Sequence, residues 1–504
     1  MVNHSLSMKI LCFTESKSFI FLIFLLGIPL LSLFLVFFSP LALISSFLGL
    51  AFLVLLYKYP EISVIALITF NVTFFKIENL PRLPLFGEAS LLPGEVLILL
   101  TIAILIIKNI KDPNFFQIKS FFFLPYLILF FIWGFSIYLS LAYGFGFTET
   151  ANTLRSCFYH IIFFLVILTI RDQGQLKRLL CLLYGLGVVI TLLFAFMVLF
   201  GGAKYFTAPV FSVVVRELRA YDIGIETVSI GKGRICTDGP YLVSALFFIA
   251  LTTLINTRDK KQRLIFTILS LLFLLTIILT FGRMLWLTSI IGLCLIYLLS
   301  NQYAKRYLLK YVAVLMVLAL LVSVALSLTP LFTKGGSKSL LGFAKERFVG
   351  LFTKTTKEDS FKYRYWEAKK GMEVFKKHPF WGNGFPYYIG FDLRQEGDVV
   401  LLEKLGVGHN GYLDILCRTG MVGLVAYLCL SFYVIKISLK YFRMFSDPIL
   451  LGLVLGLLVN YIRVMLNATS QSDFLAYHCG SVIALSFGLI DVSIRTSKRE
   501  DLDL

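Results

Sequence analysis

Three basic side chains of types that suit group transfer lie where hydrophobic stretches of the sequence begin or end. His409 precedes one stretch, Arg283 lies between two others in LTFGRMLWL, and Arg234 precedes a further one in IGKGRICTDGPYLV. A guanidinium group is always charged and can bind two phosphate oxygens at once, and imidazole, with an unperturbed pKa of about 6.5, can accept a proton near neutral pH. This set suits glycosyl transfer from a sugar pyrophosphate to a hydroxyl acceptor.

The rest of the sequence predicts an all-α integral membrane protein, a polytopic helical bundle. Of its 504 residues, 58% are hydrophobic and 15% are charged, against about 45–50% and about 25% in soluble domains. We interpret the first apolar run as a retained span, because no A-x-A-like cleavage site follows it. The third and sixth runs are short enough to be tilted or re-entrant, so we expect about 12–14 transmembrane helices. The apolar runs lie at residues 18–38, 40–57, 62–75, 94–108, 119–141, 157–170, 177–200, 240–256, 262–281, 284–299, 308–328, 411–434, 449–466 and 473–490.

Charge distribution predicts the orientation of the chain. The formal net charge is +18, but Lys and Arg lie mostly in short loops, where orientation in the membrane explains them and no nucleic-acid partner is needed. If the N-terminus is cytoplasmic, every short basic loop falls on the cytoplasmic side, and both termini lie there. Loops 201–239 and 330–408 then face outward, together with the three basic side chains described above.

This organisation predicts three regions. Residues 1–229 hold the N-terminal transmembrane helices, residues 230–434 form a catalytic core, and residues 435–504 hold the C-terminal transmembrane helices and a cytoplasmic tail. The core includes the large outer loop 330–408, which we expect to contain short helices.

The large loop contains one clear helical pattern, at residues 361–377, with Pro379 as a stop. We interpret it as an amphipathic helix on the membrane surface, with Glu373 and Lys377 one turn apart. The following HPFWGNGFPYY has the composition of a tight turn with aromatic anchors. The residues at helical spacing are Arg364, Ala368, Met372 and Phe375.

Each candidate also has a purely structural explanation. Arg283 could be a loop charge that ends two spans, Arg234 could be a solvated charge, and His409 could be a polar helix cap. Arg463 is a further candidate, because an ionisable residue within a membrane span is functional by default. The eight cysteines show no Cys-x-x-Cys spacing, so the sequence predicts neither a zinc site nor a disulfide framework.

Two stretches resemble a known family. HNGYLDILCRTGMVG, with His409, Asn410, Gly420 and Gly423, resembles the signature of bacterial O-antigen ligases and the related pilin-type O-oligosaccharyltransferases. YRYWEAKKGMEVFKKHPFWGNGF resembles the segment that precedes this signature in the family. The matching positions in it are Arg364, Trp366, His378, Pro379, Gly382 and Gly384.

The resemblance implies a GT-C-like membrane glycosyltransferase of the bacterial inner membrane, acting on the periplasmic side without a metal or other cofactor. The donor would be a glycan linked to undecaprenyl pyrophosphate, and the acceptor lipid A-core or another glycan. His409 would be the base that activates the acceptor hydroxyl. Arg234 and Arg283 would hold the pyrophosphate, with Arg364 as a further donor contact, and Trp366, Asn410, Gly420 and Gly423 would support the site.

Three positions depart from the family pattern. Gly282 replaces the usual Ser before the second-turn Arg, Tyr241 replaces an Asn, and Arg418 replaces a Glu two residues before the first Gly of the signature. These departures leave the identities of donor and acceptor open.

Ligation of a polysaccharide to lipid A-core is the leading functional hypothesis. A polymerase that joins lipid-linked repeat units is the alternative within the superfamily, and protein O-glycosylation is a third choice of acceptor. A transporter or lipid flippase would be a different class. Such proteins usually have ionisable groups near the middle of the membrane, whereas the polar candidates here cluster at one face.

Overall fold

The structure is a computed structural model, and its residues divide into two compact units, Met1–Pro60 and Glu61–Leu504. In the first unit, the described residues form helix α1 (Pro40–Lys58). The first predicted span, 18–38, lies outside the described residues. The structure describes residues 40–72, 83–84, 90–110, 120–199, 214–217, 233–236, 239–280, 282–328, 359–395, 398–405, 407–471 and 474–500.

The second unit begins with six helices and two short hairpins. A 3-10 turn, Tyr159–Ile161, joins α5 to α6, and each strand pair is antiparallel. The elements are α2 (Glu61–Val72), β1 (Leu83–Pro84), β2 (Ser90–Leu91), α3 (Pro93–Asn109), α4 (Phe123–Ala142), α5 (Phe147–Phe158), α6 (Ile162–Thr169), α7 (Gln173–Leu199), β3 (Val214–Glu217) and β4 (Gly233–Cys236).

The remaining elements complete the bundle and its outer layer. A 3-10 turn, Phe442–Met444, follows the longest helix. The elements are α8 (Gly239–Asn256), α9 (Lys260–Leu279), α10 (Arg283–Leu299), α11 (Gln302–Leu328), α12 (Asp359–Phe375), β5 (Tyr388–Gln395), β6 (Asp398–Leu405), α13 (Gly411–Tyr441), α14 (Pro448–Asn467) and α15 (Tyr477–Glu500).

The predicted all-α polytopic membrane fold is confirmed. Each predicted span within the described residues coincides with helical structure. Seven of the described helices are long and apolar enough to cross a membrane, or eight if the bent pair α5 and α6 is one span. The count covers the described residues alone, which exclude the predicted span 18–38, and apolar helices such as α2 and α10 have fewer than 18 residues.

Peripheral helices carry the apolar side chains that a membrane requires. Phe131 on α4 is 77% exposed and Leu264 on α9 is 64% exposed. A soluble protein would bury side chains of this kind, whereas lipid tails solvate them as well as a protein interior does. The chain is therefore a multi-pass membrane protein.

Helices α8 and α14 pack closely at the centre of the bundle. A Cβ atom built on Gly456 would lie 2.6 Å from the backbone of Ile249, and one built on Gly452 would lie 2.1 Å from the Thr253 hydroxyl. The absence of a side chain at both glycines lets the two backbones approach, as is common where membrane helices meet. The pairings run in opposite directions along the two helices, so α8 and α14 are antiparallel.

The two ends of α14 differ in their chemistry. At its start, Lys177 Nζ at the beginning of α7 lies 3.0 Å from the Asp447 carboxylate. Beyond its end, the Tyr241 hydroxyl at the start of α8 donates to Gln471 Oε1 at 2.6 Å. One end of the bundle therefore gathers basic loops, and the opposite end, which we call the outer end, receives the residues before α8 and α13.

The outer layer consists of α12, the turn after it and the hairpin β5–β6. The predicted surface helix at 361–377 is observed at Asp359–Phe375, and Glu373 pairs with Lys370 at 3.0 Å. The hairpin was not expected, since the large loop was predicted to contain only short helices. Residues 329–358 of that loop lie outside the described residues.

The buried face of α12 differs from the predicted stripe. Met372 of the expected apolar face is 40% exposed, whereas Glu367 is 1% exposed and Gly371 is also buried. A Cβ atom on Gly371 would lie 2.8 Å from the side chains of both Val407 and Leu413. Contact with the chain around residue 409, rather than the apolar pattern, sets the orientation of this helix.

Candidate active site

His409 lies in the short turn between β6 and α13, and Glu367 of α12 holds this turn. The Glu367 carboxylate accepts a hydrogen bond from the His409 ring nitrogen Nδ1 at 2.8 Å. It also accepts the backbone N–H groups of Gly408 at 2.9 Å and of His409 at 3.1 Å. Three donors therefore converge on one carboxylate, which compensates its removal from water.

This contact determines which ring nitrogen of His409 can accept a proton. Because Nδ1 donates to Glu367, the neutral ring carries its hydrogen on Nδ1 and its lone pair on Nε2. The Glu367 side chain is 1% exposed, whereas the His409 side chain is 30% exposed. One nitrogen of the imidazole is therefore fixed by a buried carboxylate while the side chain remains partly exposed, as a general base requires.

Tyr387 fixes the backbone before His409. Its hydroxyl accepts the N–H of Val407 at 2.8 Å and donates to Asp414 Oδ1 at 2.7 Å. Burial, and in addition the charge of Asp414, raise the pKa of Tyr387 well above its usual value. The hydroxyl therefore remains protonated and can serve both partners.

Arg418, one of the departures from the family pattern, completes this cluster. Its Nε donates to Asp414 Oδ1 at 2.9 Å, and its guanidinium lies 5.2 Å from the centre of the Tyr387 ring. It also donates to the carbonyl of Phe385. Arg418 thus links the start of α13 to the chain that leads into β5.

The residues after His409 are held equally firmly. Asn410 is the N-cap of α13, and its side chain accepts the N–H of Leu413 at 3.1 Å. The next N–H, that of Gly411, lies 2.8 Å from the carbonyl of Ala468 and 3.0 Å from that of Gln471. The turn is thereby tied to the segment that also binds Tyr241 at the start of α8.

Gly420 marks a break within α13 that the turn after α12 fills. Gly420 has φ +66°, and a Cβ atom there would lie 2.2 Å from the carbonyl oxygen of Phe380. Gly382, at φ +80°, faces the same contact, since its Cβ would lie 2.3 Å from the Arg418 carbonyl oxygen. Both positions require glycine because of conformation and space.

Backbone hydrogen bonds from the turn replace those lost at the break. Asn383 N–H donates to the Cys417 carbonyl at 2.8 Å, and Met421 N–H donates to the Pro379 carbonyl at 2.8 Å. The glycines of the two segments that resemble the family therefore allow the turn after α12 to pack against α13. Gly423 belongs to the same region, where Thr419 fills the space that a Cβ atom would occupy.

The other predicted residues have the following positions. Arg364 lies one turn before Glu367 on α12 and is half-buried, as is Trp366. Arg234 lies in β4, five residues before Gly239 begins α8. The backbone of Arg234 is thus near the outer end.

Arg283 is half-buried at the start of α10. A Cβ atom on Gly292 would lie 2.6 Å from the side chain of Phe248 on α8. At about 1.5 Å per residue, Arg283 is about 13 Å from Gly292 along α10, and Gly239 is about 13 Å from Phe248 along α8. Since α9 returns the chain from the end of α8, both starts lie at the outer end.

Three further residues from the sequence analysis have structural contacts. Arg463 is 1% exposed in α14 and donates to Asn460 and to Ser244 of α8. The ring of His478 lies 4.7 Å from that of Tyr241. His378 stacks on another tyrosine, as described below.

Sequence reasoning missed Glu367 and Tyr387. A signal for Glu367 was present, because a carboxylate one turn after Arg364 on a surface helix is available to a partner on the same face. Tyr387 had no comparable signal, since its role depends on the unexpected hairpin.

Comparison with known families finds a match for part of the chain. Residues 268–428 match the family model described as O-antigen ligase, a range that contains Arg283, Glu367 and His409 but not Arg234. The comparison with curated proteins gave no match. Residues 268–428 of this multi-pass membrane protein are therefore similar to the O-antigen ligase family.

Proposed function

We propose that the protein is a glycosyltransferase that moves a glycan from undecaprenyl pyrophosphate to an acceptor hydroxyl on the periplasmic side of the bacterial inner membrane. The observation that carries this proposal is the contact between His409 and buried Glu367 at the outer end of the bundle. It presents a proton acceptor at the end of the bundle where the chain segments that bear Arg283 and Arg234 also lie. The preferred acceptor is lipid A-core.

His409 acts as the general base. Nε2 takes the proton of the acceptor hydroxyl while the hydroxyl oxygen attacks the anomeric carbon of the donor. The bond from that carbon to the pyrophosphate oxygen breaks, and the electron pair leaves with undecaprenyl pyrophosphate. Glu367 stabilises the imidazolium that forms and keeps the ring in its tautomer.

Arginine side chains hold the donor. Arg283 and Arg234 contribute guanidinium groups, which bind phosphate oxygens and compensate the charge that develops on the leaving group. Arg364, one turn from Glu367, is a further donor contact, and Trp366 supports it. We assign no metal ion to donor binding or to the transfer step.

The test in cells is the substitution His409→Ala. We expect loss of glycan-capped lipopolysaccharide and accumulation of the lipid-linked glycan, with normal amounts of protein in the membrane. Glu373→Gln is the matched control on α12, because Glu373 is exposed and contacts Lys370 rather than the turn. Wild-type glycan capping in the His409 variant would refute the base assignment.

Reconstitution separates the possible acceptors. The purified chain is given an undecaprenyl-pyrophosphate glycan with lipid A-core, a second lipid-linked repeat unit or a pilin peptide, each with and without EDTA. Transfer to lipid A-core in EDTA is expected. Elongation of the lipid-linked repeat alone would identify a polymerase, and loss of transfer in EDTA would contradict the metal-free assignment. Movement of the donor across the bilayer without transfer would indicate a transporter.

A further inference from the structure

A cavity lies in the outer layer, between the turn that follows α4 and the end of α12. Its volume is about 210 Å³, below the 300–1,000 Å³ typical of drug-sized ligands. It therefore has room for a group of the size of one sugar ring. Its lining residues are Tyr143, Phe145, Val374, Lys377, His378, Asn383, Tyr387 and Tyr388.

The lining combines aromatic faces with basic groups. Tyr143 and Tyr388 are each 41% exposed, and Lys377 and His378 are exposed beside them. The apolar C–H face of a pyranose ring packs against an aromatic ring, and an ammonium group binds a carboxylate or phosphate. An acidic sugar satisfies both kinds of lining group.

Contacts within the cavity wall hold the groups in place before a ligand binds. The His378 ring stacks on Tyr143 with 4.6 Å between the ring centres, and His378 Nδ1 lies 3.3 Å from the Tyr143 hydroxyl. The Tyr388 hydroxyl contacts the Glu149 carboxylate of α5. Fixed aromatic rings reduce the entropy lost on binding.

The cavity adjoins the reaction centre at Tyr387, which lines it and whose hydroxyl accepts the N–H of Val407, and it extends from there toward the end of α12. Glu367, which binds His409, lies about 12 Å along α12 from Phe375, where the helix ends and the cavity begins. A sugar bound in the cavity is therefore more than one sugar unit away from the glycosidic bond that reacts at His409.

We propose that this cavity is a binding subsite for an acidic sugar unit of the glycan substrate. The inference rests on the proposed glycosyl transfer and adds a class of sugar to it. The subsite would hold a unit bearing a carboxylate or phosphate while a more distant unit reacts, so it would contribute to the choice of glycan.

Binding of a soluble acidic oligosaccharide tests the proposal. The full chain, purified in phosphatidylcholine nanodiscs, is titrated calorimetrically with tri-galacturonate and with neutral maltotriose. We expect tri-galacturonate to bind at least about tenfold more tightly, the effect of one charge-assisted hydrogen bond. Lys377→Gln and Tyr388→Leu should each weaken its binding about tenfold, whereas Lys376→Gln, next to the cavity but not in its wall, should bind as the wild type does.

The outcomes are decisive in both directions. Absence of tri-galacturonate binding, or equal binding by the Lys377 and Tyr388 variants and the wild type, overturns the subsite. Loss of binding when phosphatidylglycerol replaces phosphatidylcholine would assign the cavity to anionic lipid headgroups and also overturn it. His409→Ala should retain tri-galacturonate binding, so glycosyl transfer by that variant would refute the base role without affecting this result.

Discussion

The α8–α14 interface and the layer around His409 are held together in different ways. At the interface, Gly456 and Gly452 bring two backbones into direct contact, most surrounding side chains are apolar, and a few hydrogen bonds such as Arg463 to Ser244 add to this packing. Around His409, buried polar groups and backbone hydrogen bonds make the contacts, and Glu367 alone accepts three of them. The interface determines whether the bundle forms, and the layer around His409 determines whether the protein can catalyse transfer.

This difference separates stability from activity. Close packing between membrane helices is lost when a side chain enters it, and the fold is then affected as a whole. A hydrogen bond in the outer layer can be removed while the spans remain packed. Substitutions in the two regions should therefore have distinguishable effects on protein amount and on transfer.

The largest effect is expected from Gly456→Leu. A Cβ atom at this position already lies 2.6 Å from the Ile249 backbone, so the larger side chain forces α8 and α14 apart at a cost of at least about 3 kcal/mol. Membrane immunoblots and thermal melting in detergent should show little folded protein. Gly185→Leu on α7 is the control, because nothing lies within 4 Å of its Cβ position. Equal melting temperatures for the two variants would contradict the proposed close packing.

Gly420→Ala should disrupt the packing of the outer layer while the helical bundle remains folded. Its positive φ costs about 1–3 kcal/mol with a side chain, and the new Cβ atom overlaps the Phe380 carbonyl. Transfer should fall below detection while the protein still reaches the membrane and shows a lower melting temperature. Gly134→Ala on α4, with open space at Cβ, should behave as the wild type. Full transfer by the Gly420 variant would show that the break in α13 is dispensable.

A smaller effect is expected from Glu367→Gln. The amide keeps the shape but not the charge, so it supports the imidazolium of His409 less well. A loss of about 1.5–3 kcal/mol, the range for a hydrogen bond to a charged group, corresponds to about 10–100-fold in the transfer rate. The amount of folded protein should remain unchanged, as it should for Glu373→Gln. A transfer rate within twofold of that of the wild type would show that Glu367 does not contribute to the reaction.

The smallest effect is expected from Asn410→Ala. Loss of an N-cap costs about 1 kcal/mol, which should reduce the melting temperature slightly and the transfer rate severalfold. Asn410→Ser should restore both, because serine also caps helices. If serine does not restore transfer, Asn410 has a role beyond its contact with Leu413.

Hydropathy was sufficient to predict the helices of the bundle. The predicted run at 240–256 coincides with α8 to within one residue, because burial in lipid demands a continuous apolar stretch. The number of full spans was less predictable. The predicted run at 284–299 matches α10 closely, but this 17-residue helix is shorter than the helices counted as full spans.

The candidate site was predictable only where a residue carries its own signal. His409 and Asn410 were apparent at the start of a span, and the N-cap role of Asn410 follows from local sequence. Glu367 was not singled out, because its importance arises from a residue 42 positions away. The hairpin β5–β6 and the contact of Gly420 with Phe380 likewise depend on tertiary structure, and no periodicity in the sequence predicts them.

The most direct test of the central claim, that Glu367 acts through His409, is a double-mutant cycle on the reconstituted transfer rate. Wild type, Glu367→Gln, His409→Ala and the double variant are compared with the same donor and lipid A-core. If the two side chains act as one unit, Glu367→Gln should slow the wild type about 10–100-fold but leave the residual rate of His409→Ala unchanged. An equal further loss in the His409→Ala background would show that the two residues act independently and would contradict the account.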